Sequence, residues 1–439
     1  MTQEEALAVL KCGYNVFITG AAGSGKTYLL KKYIDYLRTH GVGVGVTAST
    51  GIAATHLDGT TIHSWSGLGI KETLTEDELK KLSRKPYLKE RFKKTHVLII
   101  DEVSMLSQEQ FESLDLICRK LKKNEEPFGG MQIILGGDFF QLPPVGKEDS
   151  FVCESLLWKT ANFKICYLEG QYRHLDKKFI YLLDSVRQNQ VLGQALDLLK
   201  KSLTGEKDIS HITTKLYTHN ANVDEINNQE LEAMPGKAVS YTMSCYGDEH
   251  LVKNLKNSCL ASEELVLKKG ALVMFLKNNF DLGYVNGTIG TVSECEPGNN
   301  PVVLTRDGRY ITVPLASWEI EDELGKNVLA MVQQYPLRLA WAMTVHKSQG
   351  ITLDEALIDL SHSFTPGMGY VALSRVRTLE GLHLLGFNDI ALKVSKKAIK
   401  LDKIFFEQSQ KLQQEMFKTN AYKNRQKEYM DWLQTFSEA

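Results

Sequence analysis

The 439-residue chain lacks the features that mark secreted, zinc-binding and membrane proteins. Its seven cysteines are scattered singly from Cys12 to Cys295 without a C-x-x-C pair, which argues against a disulfide framework and a zinc site. We expect them to be small core residues in a reducing compartment. No apolar run reaches the roughly 18 residues of a membrane span, and the start has no basic flank typical of a signal peptide.

The chain also lacks an excess of either charge. Lys and Arg total 52 against 53 Asp and Glu, so a net charge of −1 neither favours nor excludes a nucleic-acid partner. Only local clusters can indicate one. With 43% hydrophobic residues, a chain of this length can form about three domains.

Apolar runs alternate with helical patterns through the first 170 residues, which predicts a parallel sheet covered by helices. No strand-helix unit fits between about 60 and 95, so we expect a small insertion there. The predicted strands are 15–19, 42–47, 97–101 and 131–135, and the predicted helices are 26–39 and 107–123.

A second alternating block begins near residue 163 and resumes at 335–350, 356–360 and 382–387. Between its two parts, residues 241–332 have short β-rich runs and turn signals such as EPGNNP, which are typical of a small antiparallel barrel. From about 393 onward the chain is polar, rich in lysine and predicted to be helical.

The stretch GAAGSGKT fits the phosphate-loop pattern G-x-x-x-x-G-K-[ST] between a predicted strand and a predicted helix. Backbone N–H groups of such a loop surround the β- and γ-phosphates at a helix N-terminus. Lys26 would add a positive charge, and the Thr27 hydroxyl would bind Mg²⁺. We therefore predict an ATP site that contains Gly20, Ala22, Gly23, Ser24, Gly25, Lys26 and Thr27.

An acidic pair, Asp101 and Glu102, ends the apolar run VLIIDE. Asp101 is predicted to hold Mg²⁺ together with Thr27, directly or through water. Glu102 is predicted to activate the attacking water as a general base. A glutamate in this role indicates hydrolysis that drives motion rather than phosphate transfer to a substrate hydroxyl, so we expect an ATPase motor.

The stretch GGDFFQLPPV, residues 136–145, follows a predicted buried strand with polar and aromatic residues. Beside the strand of Asp101, Gln141 would lie near the γ-phosphate, where its amide could distinguish ATP from ADP by one hydrogen bond. Phe139 and Phe140 would offer faces for stacking on bases. The alternative is that both phenylalanines are core residues.

Eight stretches resemble, in order, the ATPase and DNA-binding motifs of superfamily-one helicases that move 5′ to 3′. The run 114–145 resembles the signature that separates the petite integration frequency (Pif) helicases from their RecD-like relatives. The eight stretches are GAAGSGKT (20–27), VTASTGIAA (46–54), GTTIHSWSGLG (59–69), LIIDEVSML (98–106), GGDFFQLPPV (136–145), LEGQYR (168–173), LAWAMTVHKSQG (339–350) and YVALSRVRTLEGL (370–382).

This resemblance implies an α/β fold with two RecA-like P-loop domains, ATP in the cleft between them, and single-stranded DNA across both. Arg173 and Arg375 would be arginine fingers, Gly350 would approach the nucleotide through its backbone, and Gln3 would read adenine. The expected divisions are a RecA-like domain 1A (1–170, with insertion 1B at about 62–95), a RecA-like domain 2A (171–240 and 333–392), an inserted Src-homology-three-like (SH3-like) β-barrel 2B (241–332) and a C-terminal helical segment (393–439).

Four side chains in these motifs are predicted to bind DNA phosphates without reading sequence: Thr47, His63, His346 and Lys347. A lone histidine is more often a structural hydrogen-bonding group, but the motif position favours DNA here. The run KKLSRKPYLKERFKK, residues 80–94, has eight basic residues and one acid, interleaved with Tyr87 and Phe92. It is either a solvated helix face or a surface that follows or splits DNA.

We therefore expect a cytoplasmic, monomeric ATP- and Mg²⁺-dependent DNA helicase of minimal bacterial type. Its partners would be single-stranded DNA and forked or 5′-tailed duplexes, with G-quadruplexes and RNA–DNA hybrids implied by the resemblance. Three alternatives stay open: a RecD-like translocase subunit that needs a partner to unwind, an ATP-regulated nucleic-acid clamp, and an RNA-directed helicase.

Overall fold

The computed structural model describes residues 1–69, 71–144, 150–174, 176–204, 214–218, 223–322, 327–345, 348–419 and 422–435. The chain divides into two compact units. The first comprises Met1–Tyr172, Glu319–Leu329 and Lys396–Ala439, and the second comprises Arg173–Trp318 and Ala330–Ser395.

The first unit contains a six-stranded sheet in the order β3-β2-β4-β5-β1-β6, with every pair parallel. Strands β1, β2, β4 and β5 are buried along their whole length, as expected of a sheet covered on both faces. The strands are β1 (Val16–Gly20), β2 (Val44–Ala48), β3 (Thr60–Thr61), β4 (Val97–Asp101), β5 (Gln132–Gly136) and β6 (Lys164–Leu168).

The four strands predicted in the first block are confirmed. The second alternating block was expected to begin near residue 163, but β6 pairs with β1 along its whole length, from Val16 opposite Lys164 to Gly20 opposite Leu168. This strand therefore belongs to the first sheet, on the same side of the expected boundary at residue 170 as β1. Alternation along a sequence predicts a strand but not the sheet that it joins.

Helices cover this sheet and also form the expected insertion, which consists of the short helices α4, α5 and α6. Capping boxes begin α1, with Thr2 and Glu5, and α7, with Ser107 and Gln110. The helices are α1 (Gln3–Leu10), α2 (Lys26–Thr39), α3 (Gly51–His56), α4 (Ile62–Ser66), α5 (Glu76–Leu82), α6 (Pro86–Lys94), α7 (Gln108–Lys122) and α8 (Leu156–Thr160), with short 3₁₀ turns at Val103–Met105, Pro127–Gly130 and Val152–Glu154.

The elements that follow build a second parallel sheet, in the order β18-β7-β19-β20, and the inserted segment. They are α9 (Lys177–Arg187), α10 (Gln194–Lys201), β7 (Thr214–Tyr217), α11 (Val223–Ala233), β8 (Val239–Thr242), β9 (Ser244–Gly247), α12 (Glu249–Ser258), β10 (Glu264–Leu267), β11 (Leu272–Phe275), β12 (Ile289–Glu294), β13 (Val302–Thr305), β14 (Tyr310–Thr312), β15 (Ala316–Glu321), β16 (Val328–Gln334), β17 (Leu337–Leu339), β18 (Ala342–Thr344), β19 (Ala356–Leu360), α13 (Met368–Leu373) and β20 (Leu382–Phe387).

The inserted segment is antiparallel, as predicted. Its largest sheet has the order β14-β13-β12-β11-β17, and smaller pairings join β10 to β8 and β16 to β9. Phe275 and Tyr284 stack in its core with ring centroids 4.1 Å apart. Strand β17 extends this sheet to Leu339, beyond the expected boundary at residue 332.

The C-terminal segment forms α14 (Lys396–Thr419) and α15 (Tyr422–Gln434), which belong to the first unit and contribute to its core. None of the described helices combines the length and apolar character needed to cross a bilayer. The cysteine prediction holds for Cys12, Cys118, Cys153, Cys166 and Cys259, which are buried. It was wrong for Cys245, which is exposed on β9, and Cys295 is half-buried.

Candidate nucleotide site and nucleic-acid surface

The phosphate loop connects β1 to α2, as the motif requires. Gly25 caps the helix in the left-handed region, with φ of 86°. A Cβ atom at Gly25 would lie 2.1 Å from the Gln3 side-chain nitrogen. Both the left-handed backbone conformation and the lack of room for a side chain therefore require glycine. The Lys26 ammonium lies over the loop and donates to the carbonyls of Gly20, at 2.9 Å, and Ala21, at 3.1 Å.

The structure brings the predicted acids to this loop. Strand β4 ends at Asp101, whose Oδ2 accepts a hydrogen bond from the Thr27 hydroxyl at 3.3 Å. Burial raises the pKa of Asp101, and the Glu102 N–H, the Lys26 charge and the Thr27 hydroxyl oppose that rise. Glu102 follows in a left-handed conformation, with φ of 53°.

The residues present fit a nucleotide with Mg²⁺. A hydroxyl and a carboxylate in contact are hard oxygen ligands of the kind that Mg²⁺ prefers. The Ser24 hydroxyl is buried in the loop and has no hydrogen-bond partner among the described residues, so a phosphate oxygen could satisfy it. Thr27 and Asp101 would hold the metal.

The strand that leads to Gln141 lies between the two strands that carry the phosphate loop and the acids. Ile134 of β5 is opposite both Val16 and Ile99. A Cβ atom at Gly136 would lie 2.6 Å from Asp101 Oδ1, so the end of β5 touches the acid directly. Gln141 follows in a buried turn, where its N–H donates to the Asp138 carbonyl at 3.0 Å.

The base-stacking prediction for Phe139 and Phe140 was wrong, because both side chains are buried, 5% and 4% exposed. The Phe139 ring packs in the core, with centroids 5.4 Å from Phe17 and 5.0 Å from Phe151. The alternative that they are core residues is the correct one.

Two residues next to Arg173 contact the phosphate loop, and sequence reasoning missed them. The Gln171 amide donates to the Ala22 carbonyl at 3.1 Å, and the Tyr172 N–H donates to the Gly23 carbonyl at 2.9 Å. Both follow β6, the neighbour of β1. The only signal was their position in the stretch LEGQYR, which drew attention to the arginine alone.

The two predicted arginine fingers lie close together in the second unit. Arg173 Nη1 donates to the Ser374 carbonyl at 3.3 Å, and Arg375 Nη2 donates to the Ser374 hydroxyl at 2.8 Å. Arg375 is buried and also donates to the Val371 carbonyl. Gly350 is exposed in a turn with φ of 80°, which suits glycine. His346 and Lys347 lie outside the described residues.

The two residues near β2 and α4 that were predicted to contact DNA, Thr47 and His63, differ in how far they are buried. Thr47 is fully buried, and its hydroxyl donates to the Ile99 carbonyl at 2.6 Å, so the prediction that it binds a DNA phosphate was wrong. The motif indicated the strand correctly, but the Thr47 side chain points into the sheet. His63 is half-buried on α4, and burial lowers its pKa while a hydrogen bond with Gln110 opposes that shift.

The basic run, residues 80–94, forms the end of α5 and all of α6, and its two aromatic residues lie on opposite sides. Phe92 is fully buried and packs on Trp65 with centroids 4.6 Å apart. Tyr87 is 54% exposed, and the charged groups of Lys85 and Arg91 each lie 5.8 Å from its ring centroid. This run therefore has a buried side that anchors it and an exposed aromatic and cationic side.

The signature stretch acts as a structural support for this region. Asp115 of α7 accepts hydrogen bonds from the Phe128 N–H at 2.6 Å and from Arg119 Nε at 2.7 Å, which holds the 3₁₀ turn against the helix. The Lys122 ammonium donates to the carbonyls of Phe92 and Thr95, where α6 ends. The helix thus fixes both the start of β5 and the basic run.

A phosphate loop, an acid pair and the strand that leads to Gln141 lie on one parallel sheet. Together with a second parallel sheet and an antiparallel insertion, they define a RecA-like P-loop ATPase. The PIF1-like helicase family matches residues 4–191, and the domain described as DNA helicase Pif1, 2B domain, matches residues 250–294. The chain belongs to the PIF1-like helicase family.

Its relatives match over most of the chain. It is 43% identical to the ATP-dependent DNA helicase Pif1 of Psychrobacter sp. (strain PRwf-1), covering 94% of this chain and 72% of that protein. The crystal structure of Bacteroides sp Pif1 in complex with ADP-AlF4 is 32% identical, has a TM-score of 0.80, and covers 92% of this chain and 96% of that one. Bacteroides Pif1 bound to ssDNA has 32% identity, the same coverage and a TM-score of 0.62.

Proposed function

We propose that this chain is an ATP-dependent DNA helicase that moves 5′ to 3′ on a single strand and separates duplexes. The observation that carries this proposal is the contact between Thr27 and Asp101 at 3.3 Å, beside Lys26 and Glu102. That set can bind and hydrolyse a nucleoside triphosphate. The relatives named as DNA helicases support the use of that energy on DNA.

Each group at the site has a proposed role in hydrolysis. Lys26 binds the β- and γ-phosphates, and Glu102 takes the proton of the attacking water. Mg²⁺, when bound by Thr27 and Asp101, would neutralise charge on the phosphate oxygens. Gln141 senses the γ-phosphate and Gln3 reads adenine. Arg173 and Arg375 act as arginine fingers, and Gly350 contacts the nucleotide through its backbone.

The exposed side of the basic run is the proposed DNA surface of the first unit. Lys85 and Arg91 flank the Tyr87 ring, which could stack on a base while the cations contact phosphates. His63 is a further proposed contact. His346 and Lys347 stay predictions, as do the domain boundaries, the monomeric state, and activity on G-quadruplexes and RNA–DNA hybrids.

The test compares unwinding of 5′-tailed and 3′-tailed duplexes by the purified chain, with Lys26→Ala and Glu102→Gln as variants. We expect unwinding of the 5′-tailed duplex alone. Both variants should fold normally and lose at least about 100-fold in ATP turnover, because each removes a group that acts in the transition state.

Other outcomes identify the alternatives. Turnover stimulated by single-stranded DNA without unwinding would indicate a translocase that needs a partner. Turnover that DNA barely stimulates would indicate an ATP-regulated clamp. Preferential unwinding of RNA duplexes would indicate an RNA-directed helicase.

A further inference from the structure

The C-terminal helices are part of the core of the first unit. Leu412 and Met416 of α14 and Leu433 of α15 lie in one hydrophobic cluster with Val9 and Leu10 of α1. Helix α1 has eight residues, a length that is only marginally stable in isolation. It therefore depends on these neighbours to keep its place.

Helix α15 satisfies backbone carbonyls at the C-terminal end of α1. The Gln426 amide donates to the Ala8 carbonyl at 2.7 Å, and Arg425 Nε donates to the Cys12 carbonyl at 3.1 Å. Ala8 is among the last four residues of α1, whose carbonyls have no backbone partner within the helix, and Cys12 lies two residues beyond its end, so the two bonds fix the end of the helix and the chain that follows it. The Arg425 guanidinium also lies over the Tyr14 ring, 4.2 Å from its centroid.

A buried amide adds a second connection. Gln132 of β5 donates through Nε2 to the carbonyls of Leu10, at 2.9 Å, and Tyr14, at 2.8 Å. Its Oε1 accepts from the Tyr429 hydroxyl of α15 at 2.8 Å. Gly13 makes room for that ring: it has φ of 76°, and a Cβ atom there would lie 2.2 Å from Tyr429 Cδ2.

The other end of α1 lies at the phosphate loop. The Gln413 amide of α14 contacts both oxygens of Glu5, at 2.8 and 2.9 Å. Two residues earlier, Gln3 Nε2 donates to the Gly25 carbonyl at 3.4 Å. Helix α1 thus connects the contacts of the C-terminal helices to the residue proposed to read the base.

We propose that Arg425, Gln426 and Tyr429 of α15 are positioning residues for adenine recognition: they hold α1 so that Gln3 stays beside the phosphate loop. This inference rests on the proposed role of Gln3. The C-terminal segment thereby sets the affinity and base selectivity of the site without touching the nucleotide, and it leaves the hydrolytic groups Lys26 and Glu102 unaffected.

The test measures DNA-stimulated hydrolysis of ATP and GTP by the full chain and five variants. The double variant Arg425→Ala/Gln426→Ala should raise KM for ATP about fivefold, roughly the effect of one lost hydrogen bond. Its kcat and its GTP kinetics should change less than about twofold. Tyr429→Phe keeps the ring and removes one bond, so it should show a smaller shift in the same direction.

Three further variants separate the possible explanations: Gln3→Ala, Gln3→Ala combined with the double substitution, and Lys427→Ala. Gln3→Ala should lower the ratio of kcat/KM for ATP to that for GTP, and adding the double substitution should lower it no further. Lys427→Ala changes an exposed side chain on the same helix and should match the wild type.

Different results overturn different parts of the reasoning. If Gln3→Ala lowers the ATP-to-GTP ratio while the α15 variants do not, the positioning role is wrong and base reading stands. If Gln3→Ala leaves the ratio unchanged, base reading is wrong and the positioning role with it. If the double variant loses ATP and GTP turnover equally, α15 has a structural role alone. Should that variant fail to fold, Tyr429→Phe decides by the same criteria.

Discussion

The substitution Phe139→Leu decides whether this aromatic residue belongs to the core or to the DNA surface. Its ring lies within 5.0–6.0 Å of Phe17, Phe151 and Phe405, centroid to centroid, and 5% of the residue is exposed. A core role predicts that leucine, which keeps most of the volume, costs about 1 kcal/mol of unfolding free energy. Alanine should cost about 3–5 kcal/mol, a large part of a typical stability of about 5–15 kcal/mol.

A stacking role predicts a different pattern. Stacking on a base contributes about 1–3 kcal/mol, so its loss would weaken DNA binding about 5- to 150-fold. We expect instead that Phe139→Leu binds a fluorescent single-stranded oligonucleotide within about twofold of the wild type, as measured by anisotropy below the melting temperature. Tyr87→Leu, at the exposed aromatic residue, is the matched comparison and should weaken binding several-fold.

The result that would refute this reasoning is a Phe139→Leu variant with normal thermal stability and binding weakened tenfold or more. That outcome would indicate that Phe139 contacts DNA. A variant that is less stable but binds normally agrees with the core assignment.

Two more predictions concern charge. Reversing Arg84, Lys85, Lys89 and Lys93, which are exposed on the basic run, should weaken DNA binding and flatten its dependence on salt, because fewer counterions are released; unchanged binding would exclude this surface. Burial, followed by the Arg173 charge, lowers the pKa of His174 to about 4. The unfolded state then binds more protons than the folded state between pH 4 and about 6.5, so stability should fall as pH is lowered through that window. His174→Gln should flatten this fall in thermal melts from pH 4 to 7, though only in part, because burial and Lys122 lower the pKa of His96 to about 4 as well. An identical pH profile would contradict the role of His174.

The sequence predicted the elements of the first sheet because buried parallel strands are continuous apolar runs. VLIID and QIILG stand out without any partner information. The phosphate loop was equally readable, since its chemistry depends on local backbone geometry. Motif position, by contrast, does not specify which side of a strand a residue faces, and for that reason Thr47 was assigned to DNA although it points into the sheet.

Local sequence patterns did not predict the contacts between distant parts of the chain. Tyr429 and Gln132 are almost 300 residues apart, yet they share a partly buried hydrogen bond. Gln171 contacts the phosphate loop because β6 pairs with β1, a fact of topology that alternation did not reveal. Such contacts depend on the three-dimensional arrangement of elements that are individually predictable.

The exposed thiol of Cys245 makes this protein convenient for fluorescence work. Maleimide dyes react with thiolates, and burial raises the pKa of the other six thiols, to about 11 for Cys12 and about 12 for Cys153. A brief exposure to dye near neutral pH should therefore label Cys245 on β9 faster than the half-buried Cys295 and the five buried thiols, without prior removal of any native cysteine. A single fluorophore on the inserted segment would then report on it during individual turnovers.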